Sequence, residues 1–201
     1  MDSLAQLFEE TLKDVYYAEN AILKALPKMV KKTKNPELRQ AFEEHTEQTK
    51  GQVRRLDEIF KIIGKKASGK ECLAIKGLIG ETEEIMSDSE TPEVLHAGLI
   101  GCAQAVEHYE IARYGTLKAW AEQLEMQDAA QLLDETLQEE KQTDEKLTSL
   151  AISTVNPDAD MGEDSEESED DESEGVNAAS MDEEAEDEGA TTSRKKSSRS
   201  R

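Results

Sequence analysis

Aromatic residues make up only 4% of the 201-residue chain and hydrophobic residues 36%, both low for a globular protein. Positive charge is also scarce, with 24 Lys and Arg against 46 Asp and Glu and a formal net charge of -22. A surface of that sign repels phosphate backbones and anionic lipid, so no nucleic acid is expected on the folded domain and no membrane attachment. No apolar run approaches the roughly 18 residues of a spanning helix, and no basic N-terminal region precedes an apolar stretch. The expected location is therefore cytoplasmic. Cys72 and Cys102 are the only cysteines and lack CxxC spacing; lying in apolar helical patterns, they are expected as buried free thiols. There is no GxSxG elbow beside any of His45, His96 or His108, and no phosphate-cradling glycine loop. A nucleophilic hydrolase and an organic cofactor are both disfavoured. Alternating segments bounded by turn residues, the mark of strands, are missing too.

What is present divides unevenly. Residues 156–201 hold 17 acids and 5 bases, leaving 29 acids and 19 bases for residues 1–155. The second part reads GEDSEESEDDESEG, then MDEEAEDEG, then SRKKSSRSR, with almost no large apolar side chain to offset chain entropy. It is expected to be a disordered acidic low-complexity tail with a basic end, a solubilising segment or a contact for a basic partner. The first part, about 155 residues, suits one domain.

Within that domain, prolines 27, 36, 92 and 157 mostly flank periodic segments. A first helix is expected from an Asp2 or Ser3 cap through Leu4, Phe8, Leu12, Val15, Ile22, Leu26 and Val30, bent or loosened at Pro27. Asn35-Pro36-Glu37 opens a second, which stops at Gly64. A shorter helix over about Cys72 to Met86 follows, placed across or capping the bundle. Thr91-Pro92 starts a fourth helix to about Leu124, and the last begins near Gln127 and ends its leucine row at Ile152. The expected class is all-α: a four-helix bundle with one additional short helix.

The informative residues are charged ones on the inward rows. Glu19 falls between Val15 and Ile22; His45, Gln48 and Gln52 fall between Phe42 and Leu56. Glu107 and Glu110 fall between Ala103 and Leu117, and Thr136, Glu139 and Thr143 between Leu132 and Leu147. Each long helix thus aims a polar middle at the axis, closed by apolar layers on either side. Converging buried carboxylates must share protons, meet cations or bind metal. Oxygen donors with an imidazole, from facing helices, suit two iron or manganese ions. A shift of 91 carries Glu19 onto Glu110, Gln48 onto Glu139, Gln52 onto Thr143 and Leu56 onto Leu147, as in a duplicated helix pair with Gln48 opposite Glu139.

Four segments, DVYYAEN (14–20), AFEEHTEQTKGQVRRLDEIF (41–60), AVEHYEIARYGTL (105–117) and LLDETLQEEKQTDEKLTSLA (132–151), resemble the YciE/YciF family of ferritin-like proteins. The resemblance covers nearly all of residues 1–155. It implies a ferritin-like or rubrerythrin-like bundle, a homodimer and a role in stress responses. It also implies a di-iron or di-manganese centre on Glu19, Glu110 and Glu139, with His45, Glu107 and Glu140 nearby. The chain departs from the family at HTEQT, where Gln48 replaces the Glu of HxEET; a neutral amide is a poorer ligand for a hard cation. The ExxH pairs of ferritin-like di-iron proteins are absent at the expected places, since Gln142 follows Glu139 and Gly51 follows Gln48 at the third place. The expected function is a ferritin-like stress protein whose carboxylate-rich site acts on peroxide or dioxygen or holds iron. The alternative is a metal-free structural or interaction bundle. Acidity of this degree also suits a high-salt environment under either function.

Overall fold

A computed structural model describes residues 1–167. Six helices lie in that span: α1 (Leu4–Lys32), α2 (Pro36–Ile62), α3 (Leu73–Asp88), α4 (Pro92–Gln123), α5 (Gln127–Leu150) and α6 (Asn156–Glu167), the last joined to α5 by a π turn over Ala151–Val155. Among the described residues there is no strand. The caps are those the sequence specifies. Ser3 Oγ accepts from the Gln6 amide at 3.3 Å, Asn35 Oδ1 accepts from Glu37 and Leu38 at 3.1 and 3.0 Å, and Thr91 Oγ1 accepts from Val94 at 3.3 Å. Each satisfies amides that the first helical turn leaves without partners. Gly64, at φ 68, ends α2 in the left-handed region that glycine enters without steric cost. Pro27 does not interrupt α1, which is continuous through it.

Helices α1, α2, α4 and α5 form the bundle, and α3 lies against α4 and α1. The core comes in two apolar clusters. One gathers Ile22, Leu26, Leu38, Phe42, Leu99 and Leu147; the other Phe8, Leu12, Leu56, Phe60, Leu117 and Leu133. Between them runs a belt of buried polar side chains: Glu19, His45, Thr49, Gln52, Glu107, Glu110, Thr136 and Glu140. This is the polar middle that the inward rows require.

Four details differ from the sequence reading. The inward row of α5 is Leu133, Thr136, Leu137, Glu140 and Leu147, one residue later in phase than Leu132, Thr136, Glu139, Thr143 and Leu147. Ile152 does not close the apolar row: it is 71% exposed, while Ala151 and Val155 point inward. The π turn explains the exchange, because i→i+5 bonding inserts a residue and rotates the register. It also precedes Pro157, which lacks an amide donor and would crowd the carbonyl of Ser153 in a regular α-helix. Helix therefore continues past the expected limit of the domain at residue 155, through Glu167. The expected disordered segment from 168 onward lies outside the described residues. Of the two cysteines, both free, Cys72 is buried and Cys102 only half-buried.

The contact of α3 with α4 depends on Gly98, where an added Cβ would stand 2.6 Å from Ile85 Cγ2. Gly77 on the outer side of α3 has nothing within 4 Å. Gly77→Ala should therefore raise unfolding free energy by about 1 kcal/mol through helix propensity. Gly98→Ala should forfeit that gain and more, since overpacking costs about 1–3 kcal/mol. Urea melts of both variants check the difference in sign.

Candidate metal centre

The belt is built by one turn from each long helix. In α1, Glu19 lies between Val15 and Ile22; in α2, His45 follows Phe42; in α4, Glu107 and Glu110 follow Ala103; in α5, Glu140 follows Leu137. Spacings of three and four hold these side chains on the stripes whose apolar members form the two clusters. All five are at least 95% buried.

His45, Glu107, Glu110 and Glu140 each offer one ligand atom, and these four atoms lie within 4.8 Å of one another. His45 Nε2 is 3.3 Å from Glu107 Oε1. Tyr114, fully buried, donates its hydroxyl to Glu19 Oε1. With the carboxylates ionised, Glu19 Oε2, His45 Nδ1, Glu107 Oε2 and both oxygens of Glu110 and of Glu140 have no hydrogen-bond partner. So many orphaned donor atoms in one dry space are costly unless protons or cations neutralise them. The chemistry of the set, hard oxygens with one imidazole, fits iron or manganese.

Desolvation is the first cause of every shift here. It raises Glu19, Glu107 and Glu110 well above the ordinary carboxylate range, with mutual repulsion adding to it, and it raises Glu140 to about 7. In the absence of other cations these shifts favour the protonated forms, with Glu19 acting on Glu110 and Glu140 on Glu107. Burial also holds His45 down to about 4, so that it is a neutral imidazole with a lone pair to give.

Five of the seven residues singled out in the sequence, Glu19, His45, Glu107, Glu110 and Glu140, meet in the belt. Gln48 and Glu139 do not join it. Glu139 is half-exposed on the α2–α5 rim, held by Arg55, whose Nη1 donates to Oε2 at 2.9 Å, and by Gln52 Nε2 at 3.2 Å. Gln48 is half-buried on the same rim, its Oε1 3.4 Å from Thr143 Oγ1, and it also borders His45. The duplication predicts them opposite each other, and they do share that rim. Inside, the same shift of 91 relates Thr49 to Glu140 and His45 to Thr136, all buried. That register was the signal for Glu140. What periodicity could not supply was Arg55, which occupies Glu139 from outside.

In metal-free protein the sign of the pH dependence follows from these groups. Carboxylates raised in the folded state contribute most stability below pH 4.5, their unfolded value, and lose it as pH rises through 7 and beyond. His45, lowered to about 4, works in the opposite direction, but only below its unfolded value of 6.5. Chelator-treated protein should therefore melt lower at pH 8 than at pH 6. Each carboxylate contributes about 1.4 kcal/mol per pH unit, and about 2–4 °C follows each kcal/mol in a domain of this size. Glu110→Gln should flatten the profile, and thermal unfolding followed by circular dichroism across that range checks it.

Comparison with known proteins agrees with this architecture. Residues 3–160 match the family described as a domain of unknown function, DUF892. Protein YciF of Escherichia coli K12 is 47% identical over 157 residues, covering 78% of this chain and 95% of its own. The crystal structure of the E. coli stress protein YciF matches with TM-score 0.75, over 78% of this chain and 99% of that one. YcfI from Rhodopseudomonas palustris is 47% identical with TM-score 0.72, over 73% and 94% of the two chains. A Xanthomonas campestris protein at 22% identity and TM-score 0.63, over 81% and 99%, shares the fold. The chain belongs to the DUF892 family, alongside YciF.

Proposed function

We propose that the chain is a ferritin-like stress protein that holds iron or manganese on His45, Glu107, Glu110 and Glu140, with Glu19 as a fifth donor. The supporting observation is the group of buried donor atoms without partners, enclosed by apolar side chains on both sides. Such ions, when bound, supply Lewis acidity and one-electron redox chemistry toward dioxygen or peroxide, or are themselves the stored cargo. The chain's own residues do the rest. His45 gives an uncharged nitrogen, Tyr114 fixes Glu19 by its hydroxyl, and the carboxylates surrender their protons as cations enter. Arg55 keeps Glu139 on the rim, and Gln48 places a neutral amide beside His45. The stress assignment is carried over from the E. coli relative, which is described as a stress protein.

The same buried carboxylates, raised by desolvation and mutual repulsion, favour a second reading, a structural bundle in which the belt binds only protons. The two readings part on one measurement. Added Fe(II) or Mn(II) should raise the melting temperature of the wild type, by about 2.7 kcal/mol of stability at a hundredfold excess over Kd, and leave Glu110→Ala unmoved. No metal-dependent rise in the wild type, with Glu110→Leu as stable as wild type or more so, would establish the structural reading instead.

We also infer a homodimer through α3, which buries only Ile75 and Thr82 and leaves Leu73 78% exposed. Light scattering should give twice the chain mass; a monomer at every concentration would reject it.

A further inference from the structure

An apolar cavity of about 30 Å³ adjoins the carboxylate belt, within the bundle and under α3. Ile22, Leu26, Phe42, Ile79, Ala103 and Leu147 form its walls, and His45 and Glu107 complete the lining on the side of the belt. Its threonines are already engaged: Thr82 donates to the Leu78 carbonyl at 2.8 Å and Thr143 to the Glu139 carbonyl at 3.1 Å. The walls therefore have little hydrogen bonding to offer, except at His45 Nδ1 and Glu107 Oε2, which are buried and unpartnered.

Size and lining together narrow the occupant. A cavity this small holds a molecule of about two heavy atoms, far below the 150 Å³ of an apolar cavity that takes benzene, so organic substrates do not fit. A hydrated cation would have to shed its water against aliphatic walls, so cations need another way in. Peroxide would leave donors and acceptors unmet along most of the lining. An uncharged apolar diatomic loses nothing there. We propose that this cavity is a binding site for dioxygen, lying directly against the belt.

Its use in chemistry rests on the metalloprotein reading, whereas its occupancy does not. Three small side chains, Ala25, Ala41 and Ala103, help keep the space open, and Ala103 stands one turn before Glu107. Cys102 lines both the cavity and the outer groove beside Ile85 and Gly98, and Ala41, Thr143 and Leu147 line both the cavity and a second groove beside Gln48 and Lys146.

The test uses full-length, chelator-treated protein labelled at its methyl groups, under pressurised dioxygen and, as control, nitrogen. Paramagnetic broadening should be several-fold stronger at the methyls of Ile22, Leu26 and Leu147 than at those of Leu12, Leu56 and Leu117, which are also buried but belong to the other cluster. Ala103→Leu should abolish the excess. Ala103→Val, a smaller intrusion, should reduce it if the leucine variant does not fold. Equal broadening in both clusters would overturn the proposal. If the wild type gains stability from Fe(II) yet shows equal broadening, the cavity site fails and the metal reading stands. Selective broadening without any metal response supports the cavity and removes the metal reading.

Discussion

Placing four carboxylates and an imidazole where water cannot reach them is the constraint on which this molecule turns. Taking even one unpaired charge out of water costs several kcal/mol, so Glu19, Glu107, Glu110 and Glu140 cannot all ionise unless something positive joins them. Everything around the belt answers that demand. Tyr114 gives Glu19 a donor, burial and mutual repulsion raise the carboxyls' affinity for protons, His45 stays neutral, and Arg55 holds Glu139 on the rim.

The fold was largely open to reading from the sequence because its devices are local. Ser3, Asn35 and Thr91 act as caps through side-chain oxygens one turn from the amides they serve, and the apolar spacing of α1 and α4 names their buried faces directly. Where reading failed, the cause was tertiary. On α5, Glu139 and Glu140 are neighbours of identical chemistry; the phase set by Leu133, Leu137 and Leu147 turns Glu140 inward, and the guanidinium of Arg55 on α2 holds Glu139 on the rim. Periodicity carries no information about a partner 84 residues away. The π turn was hidden for a related reason. Ile152 continues the leucine pattern of the sequence, but the register changes one residue before it, ahead of Pro157.

The candidate site was partly visible for the same mixture of reasons. Glu19, His45, Glu107 and Glu110 follow from helical rows alone, and duplication relates Thr49 to Glu140 once the register is known. The duplication is also where the two halves diverge. Glu107, Glu110 and Glu140 come from α4 and α5, whereas α1 and α2 supply Glu19 and His45 with neutral Thr49 and Gln52. The half formed by α4 and α5 thus carries more of the belt's carboxylates than the half formed by α1 and α2.

The belt crosses the middle of the bundle rather than one end, and this separates the core into two sets of side chains with no members in common. Each long helix passes through both sets, so backbone position is shared while packing volume is not. A methylene gained near Phe60 cannot be offset by one lost near Phe42, and substitutions on opposite sides of the belt combine additively, as distant sites do. The two ends of the molecule are free to drift in sequence independently. Helix length and phase across the belt are not, since one inserted residue in any of the four rods would turn one whole apolar face to water.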